Sequence, residues 1–212
     1  MKIDSIIFDL DGTLWDSTDE ILTSWNNVIE RNKEIKNKIT KVELQGMMGL
    51  QMKDIGKRLF PYLSEDIRGK ILKDCCDYEN EYLSEHGGRL YDNLEDTLKI
   101  LSQKYKLFIV SNCQCGYIEV FLKYHQLGKY FLDFENPGRT GLTKGENIKL
   151  IIERNRLNNP VYVGDTEGDL KAARLAGIPF IYASYGFGEV SEYDYYIKAL
   201  DELSRYVSSE YI

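Results

Sequence analysis

Histidine is scarce in this chain: only His86 and His125 occur among 212 residues, too little imidazole for a His-rich metal centre. His125 ends a helical pattern and reads as a capping or packing residue. Cysteine is scarce as well. Cys75, Cys76, Cys113 and Cys115 form two tight local pairs instead of a framework of long spacings, which argues against disulfide scaffolding. A lone Cys-x-Cys without a second cysteine or histidine pair is a poor zinc site. Excess positive charge is missing: 27 Lys and Arg against 34 Asp and Glu leave a net charge of −7. That balance opposes nucleic acid as a general partner, while leaving room for a local basic pocket around one phosphate. No apolar run approaches membrane-spanning length, and Met1-Lys2 leads straight into the first apolar segment. Neither signal peptide, anchor nor membrane partner is therefore expected, and a cytoplasmic location is. Internal repeats and low-complexity segments are absent too. With 43% hydrophobic and 29% charged residues, wholesale disorder is excluded, and the length suits one large domain or one domain with a modest insertion.

The most informative stretch runs from Ile3 to Trp15. Ile6, Ile7 and Phe8 are too continuously apolar for a half-exposed strand and suit one covered on both faces, with Gly12 marking the turn. Asp9 and Asp11 sit at the exit. Residues two apart in a strand share a side, so both carboxylates face one volume at the strand's carboxyl end, where open parallel sheets place ligands. Such close anions repel. Either one takes a proton, as in a general-acid pair, or a cation holds both, and an all-oxygen site suits magnesium. A polar turn whose aspartates cap the next helix is the bland alternative.

Beyond Trp15 the pattern turns helical. Asp16, Ser17 or Thr18 can cap a helix carrying Ile21, Trp25 and Val28 or Ile29, closed by a basic stretch through Lys38. Thr40-Lys41-Val42-Glu43 reads as a capping box, Gly46 and Gly49 interrupt, and a further helical piece runs to Phe60 before Pro61. Ser64 opens the longest helix, with Ile67, Ile71, Cys75, Tyr78 and Tyr82 as its apolar stripe and Gly87-Gly88 as its end. From Tyr91 onward strands and helices alternate. Strands are expected at 107–110, 131–134, 161–163 and 180–183, with helices over Leu94 to Leu101, around Ile118 to Leu122, from Lys144, over 166–176 and near Leu200. Asn136-Pro137-Gly138 reads as a turn, and Tyr193, Tyr195 and Tyr196 as cover for a sheet edge. This alternation implies an α/β fold with a parallel sheet and right-handed crossovers.

Three apolar runs end in polar signatures. Asp9-x-Asp11-Gly12-Thr13, then Ser111-Asn112, then Lys144 opening a helix, then Gly164-Asp165-x-x-x-Asp169 together resemble the four ordered motifs of the haloacid dehalogenase-like hydrolase superfamily. The likeness is to its phosphatase branch, of the phosphoglycolate phosphatase-like kind, and spans nearly the whole chain. Four motifs in order are far more specific than one. The resemblance implies a Rossmann-like core of residues 1–14 and 89–212, helices on both faces of its sheet, and an inserted α-helical cap of residues 15–88. It places one hinge at Gly87-Gly88 and the other after Leu14, and Gly46 to Lys53 is the expected substrate-contacting loop.

By the same resemblance Asp9 is the nucleophile that forms an aspartyl-phosphate, and Asp11 the general acid and base. Ser111 and the Asn112 amide would bind the phosphoryl oxygens, and Lys144 would neutralise Asp9 and the transferring group. Magnesium would be held by Asp9, the backbone carbonyl of Asp11 and Asp165, with Asp169 supporting the site or serving as an occasional ligand. A lysine in a helix's first turn is electrostatically misplaced unless an anion faces it, which favours a functional Lys144. Asp165 could otherwise be a helix cap before Thr166. Arg139 reads as a surface residue. The expected substrate is a small phosphorylated metabolite, and a monomer is the working expectation. Asp11 argues against the dehalogenases and phosphonoacetaldehyde hydrolases of the superfamily, and Thr13 leans away from its sugar-phosphate mutases. A mutase of the β-phosphoglucomutase kind is the alternative, and a catalytically silent binding module a remoter one.

Overall fold

The computed structural model describes residues 3–206. In chain order its elements are β1 (Ser5–Phe8), β2 (Trp15–Asp16), α1 (Thr18–Glu30), α2 (Lys41–Gln45), α3 (Met52–Leu59), α4 (Glu65–His86) and β3 (Arg89–Leu90). There follow α5 (Leu94–Leu101), β4 (Lys106–Val110), α6 (Tyr117–Tyr124), β5 (Asp133–Glu135), α7 (Pro137–Thr140) and α8 (Lys144–Asn155). The chain closes with β6 (Pro160–Gly164), α9 (Glu167–Ala176), β7 (Phe180–Ala183), β8 (Tyr195–Ile197) and α10 (Leu203–Tyr206).

Six strands form one parallel sheet in the order β5-β4-β1-β6-β7-β8. The period of two along each strand divides the core between its faces. Ile6, Phe8, Leu107, Ile109, Val161 and Val163 pack on one side with Leu94 and Leu98 of α5 and Phe121 of α6. Ile7, Phe108, Val110 and Tyr162 pack on the other with Ile148 and Ile151 of α8 and Ala173 of α9. This is the doubly covered α/β sheet expected from the uninterrupted apolar runs. Among the described residues no helix is long and apolar enough to cross a membrane.

Several local expectations need correction. Helix α1 ends at Glu30, well before Lys38, because Asn32 turns the chain, its side chain accepting from the Glu34 amide. The strand expected at 131–134 is β5, Asp133–Glu135, and Leu132 just before it is exposed. Asn136-Pro137-Gly138 starts a short helix: Asn136 caps it and Pro137 occupies its first position, where a missing N–H costs nothing. The tyrosines do not cover the sheet's edge. Tyr195–Ile197 is the edge, a sixth strand paired with β7. Residues 15–88 are not wholly helical either: β2 pairs antiparallel with β3, Trp15 opposite Leu90 and Asp16 opposite Arg89, tying together the two ends of the segment that carries α1 to α4. On α4 the buried stripe is Ile71, Leu72, Cys75, Glu79 and Leu83, with Tyr78 and Tyr82 at its margin. A carboxylate in that stripe hid its register. The caps read from Thr40 and Ser64 are present, their side chains accepting from the Glu43 and Ile67 amides.

Candidate active site

Strand order builds the site. With β4 and β6 flanking β1, and Phe8 level with Ile109 and Val163, the residues that leave these strands emerge side by side at the sheet's carboxyl edge. They are Asp9, Ser111 and Asp165. Helix α8 brings its first residue, Lys144, to the same place, its Thr143 capping box fixing the turn.

Lys144 is buried, with Nζ 2.9 Å from Asp9 Oδ1 and 2.6 Å from Asp169 Oδ1. Burial alone would lower its pKa, but the charges of Asp169 and Asp9 outweigh that and raise it, so the ammonium stays charged. Asp169 is fully engaged. Its Oδ2 accepts from the Asp165 amide (3.2 Å), the Thr166 amide (2.9 Å) and the Thr166 hydroxyl (2.6 Å), and its Oδ1 is shared by Lys144 and the nearby Tyr162 hydroxyl (3.3 Å). That makes Asp169 the residue that positions Lys144 and completes the capping box of α9. Thr166 is the cap residue of α9, which leaves Asp165 free for other work.

Asp165 Oδ2 accepts from the Phe187 amide at 2.7 Å, while its Oδ1 is buried with no hydrogen-bond partner among the described residues. Asp9 Oδ1 likewise has its ion pair with Lys144 but no hydrogen bond. Carboxylate oxygens of Asp9, Asp165 and Asp169 lie within 4.8 Å of one another. Burial, then the neighbouring carboxylates, push Asp9 and Asp165 above the ordinary carboxylate range, against the pull of Lys144 and, for Asp9, of the Ser111 hydroxyl. Buried, unsatisfied oxygens and raised carboxyl pKa values mark a cluster short of positive charge. An all-oxygen set of this kind fits a hard divalent cation.

The backbone is shaped around Asp165. Gly12 adopts φ +80, and a Cβ there would lie 2.1 Å from Asp165 Oδ2; a Cβ on Gly186 would lie 2.3 Å from Asp165 Cβ. Only glycine permits both approaches.

Asp11 faces elsewhere. Its Oδ1 accepts from the Tyr117 hydroxyl (2.7 Å), the Ser17 hydroxyl (2.8 Å) and the Trp15 indole (2.9 Å), so its side chain stands apart from the acidic trio. Burial raises its pKa, opposed in turn by Tyr117, Ser17 and Trp15. Ser17 makes no side-chain cap bond to α1; holding Asp11 is its role instead. Asn112 reaches away from the core, its amide donating to the Gly49 carbonyl at 2.9 Å and fastening the loop before α3 to the site. Arg139 lies over the Phe134 ring and pairs with Glu135 at 3.7 Å, outside the cluster. His125 packs edge-on against Trp15.

Four contributors escaped the sequence reading: Tyr117, Tyr162, the Phe187 amide and Glu79 of α4. None carries a motif, since the first two sit in apolar patterns and the third acts through backbone. Glu79 is buried, accepting from the Trp25 indole and from Gln114 Nε2 at 3.0 Å, and burial pushes its pKa up to about 7.

A family model described as haloacid dehalogenase-like hydrolase matches residues 6–183. The phosphoglycolate phosphatase of Vibrio vulnificus (strain YJ016) is 26% identical over 227 residues, covering 95% of each chain. A haloacid dehalogenase-like family hydrolase from Streptococcus pneumoniae superposes with a TM-score of 0.84 at 23% identity, over 96% of this chain and 98% of that one. The β-phosphoglucomutase of Clostridium difficile gives 0.77 at 14% identity, over 97% and 96%. Both superpositions speak for the fold alone.

Proposed function

The chain belongs to the haloacid dehalogenase-like hydrolase family, and on that premise we propose that it is a phosphatase. Its substrate is a small phosphorylated metabolite, and the reaction passes through an aspartyl-phosphate on Asp9. The observation that carries this reading is Lys144, buried and shared between Asp9 and Asp169 beside an unsatisfied Asp165 oxygen. A structural ion pair has no use for the third carboxylate; phosphoryl transfer does.

In this reading an Asp9 oxygen attacks phosphorus while the bond to the leaving alcohol breaks, and the Asp11 carboxyl gives its proton to that oxygen. Asp11 must be protonated at this moment, and its burial raises its pKa in the required direction. The resulting Asp11 carboxylate then takes a proton from the water that attacks phosphorus, which frees Asp9 and inorganic phosphate. Ser111, the Asn112 amide and Lys144 hold the phosphoryl oxygens as charge spreads over them. Asp9, the Asp11 carbonyl and Asp165 would hold magnesium, which when bound neutralises and orients the phosphoryl group. Residues 15–88 act as the cap over the core of residues 1–14 and 89–212, and a cytoplasmic setting suits such a substrate.

The cavity beside Asp11 measures about 40 Å³, room for roughly three or four water-sized groups. The test is magnesium-dependent release of phosphate from p-nitrophenyl phosphate and acetyl phosphate, lost with a chelator and in Asp9→Asn. Unchanged release in Asp9→Asn refutes the proposal, and exclusive conversion of β-glucose 1-phosphate to glucose 6-phosphate replaces it with a mutase.

A further inference from the structure

The cavity beside Asp11 has an unusual lining. Apolar side chains from α1 and from the loop before α3, Trp25, Met47 and Leu50 among them, make its walls, and Glu79 stands in it together with Asn112 and Gln114. Among the described residues no lysine, arginine or histidine lines it. The nearby cation Lys53 belongs to the outer cleft beyond Met52 and faces Glu65 at 3.6 Å.

Its polar atoms are acceptors. Asn112 Nδ2 is committed to the Gly49 carbonyl, and Gln114 Nε2 to Glu79 and to Asn80 Oδ1 at 3.2 Å. These bonds fix both amides with their oxygens on the other side, and those two buried oxygens, Asn112 Oδ1 and Gln114 Oε1, have no hydrogen-bond partner. Glu79 itself receives only two donors, fewer than a carboxylate accommodates. Glu79, Asn112 and Gln114 line one small apolar space beside Asp11 and carry between them three acceptors with spare capacity, a set that a donor-rich, positively charged guest would satisfy.

We infer that the leaving alcohol of the natural substrate ends in an ammonium group, seated against Glu79, Asn112 Oδ1 and Gln114 Oε1. The inference rests on the phosphatase reading and names its substrate class: a short phosphorylated amino alcohol. Charge agrees. The upward push on Glu79 comes from burial first and is increased by Asp11, so a bound cation supplies what the cavity wall lacks. A carboxylate-bearing leaving group such as glycolate would meet Glu79 with no cation to offset it, which separates this chain from the activity named for its Vibrio relative.

The test uses the whole protein with magnesium and three small esters: ethanolamine phosphate, propyl phosphate, whose leaving alcohol is uncharged, and phosphoglycolate. The expected order of kcat/KM is ethanolamine phosphate above propyl phosphate above phosphoglycolate, the first exceeding the last by roughly 100-fold or more. In Glu79→Gln the ratio of ethanolamine phosphate to propyl phosphate falls by roughly 10-fold or more, and phosphoglycolate gains on both. The wild-type order needs no variant to fold. Phosphoglycolate equal to or above ethanolamine phosphate, with acetyl phosphate still hydrolysed, overturns this inference and leaves the phosphatase reading standing. Hydrolysis of none of the three esters, and of no acetyl phosphate either, overturns both.

Discussion

Replacing Glu79 by glutamine should stabilise the protein at neutral pH, by an amount that depends on pH in a defined way. In the unfolded chain this carboxyl titrates near its ordinary value of 4.5, whereas burial holds it near about 7 in the fold. Below pH about 4.5 the group is neutral in both states and contributes no pH-dependent difference. As pH rises the unfolded chain gives up its proton first, so wild-type stability falls until the folded group ionises as well, near pH 7. The difference of about 2.5 pH units, at about 1.36 kcal/mol per unit, amounts to about 3 kcal/mol. Glutamine keeps an acceptor for the Trp25 indole, and Gln114 Oε1, buried without a partner, can turn to receive the new amide. Urea unfolding of both proteins from pH 4 to pH 8 reads the result. The variant's advantage should grow over about 4.5 to 7 and then level off, corresponding near pH 8 to roughly 6–12 °C in Tm. A difference independent of pH, or one that shrinks as pH rises, would show that burial does not raise the Glu79 pKa.

Lys144→Met removes the one cation between Asp9 and Asp169, leaving both buried anions uncompensated. It should cost about 3–5 kcal/mol in urea unfolding at neutral pH as well as activity. Gly12→Ala places a methyl group 2.1 Å from Asp165 Oδ2 on a backbone with φ +80; calorimetric titration should show magnesium affinity reduced by roughly 10-fold or more, and stability should fall by at least about 1 kcal/mol. Tyr117→Phe takes away the hydrogen bond that most opposes the raised pKa of Asp11. The basic limb of kcat/KM, where the general acid loses its proton, should then move to higher pH. A shift to lower pH would contradict the role given to Tyr117.

The sheet was legible because its strands are covered on both faces: Ile6 to Phe8, Leu107 to Val110 and Val161 to Val163 are apolar without interruption, and the structure buries every one of them. Asp9, Ser111, Lys144 and Asp165 could be singled out for a related reason. Each directly follows a strand or opens a helix, positions where local sequence reports three-dimensional place. Glu79 lies inside α4, where period alone assigns polar residues to solvent, and Tyr117, although it opens α6, is assigned to the core because it is aromatic. Glu79 breaks the first habit because Trp25 and Gln114, 54 and 35 residues away, supply its hydrogen bonds. The edge strand Tyr195–Ile197 escaped because three residues are too few for a pattern, and its pairing with β7 is decided by tertiary contact.

Asp9 as a transient carrier of phosphorus is the claim on which the rest turns, and it can be observed directly. Asp11→Asn retains the nucleophile but lacks the base for the second step, so acetyl phosphate, whose leaving group needs little protonation, should load it and leave it loaded. Rapid acid quench followed by peptide mass analysis should find the Asp9 peptide about 80 Da heavier, and the same peptide unmodified in Asp9→Asn. A loaded residue other than Asp9, or steady hydrolysis with no phosphorylated peptide, would contradict the account.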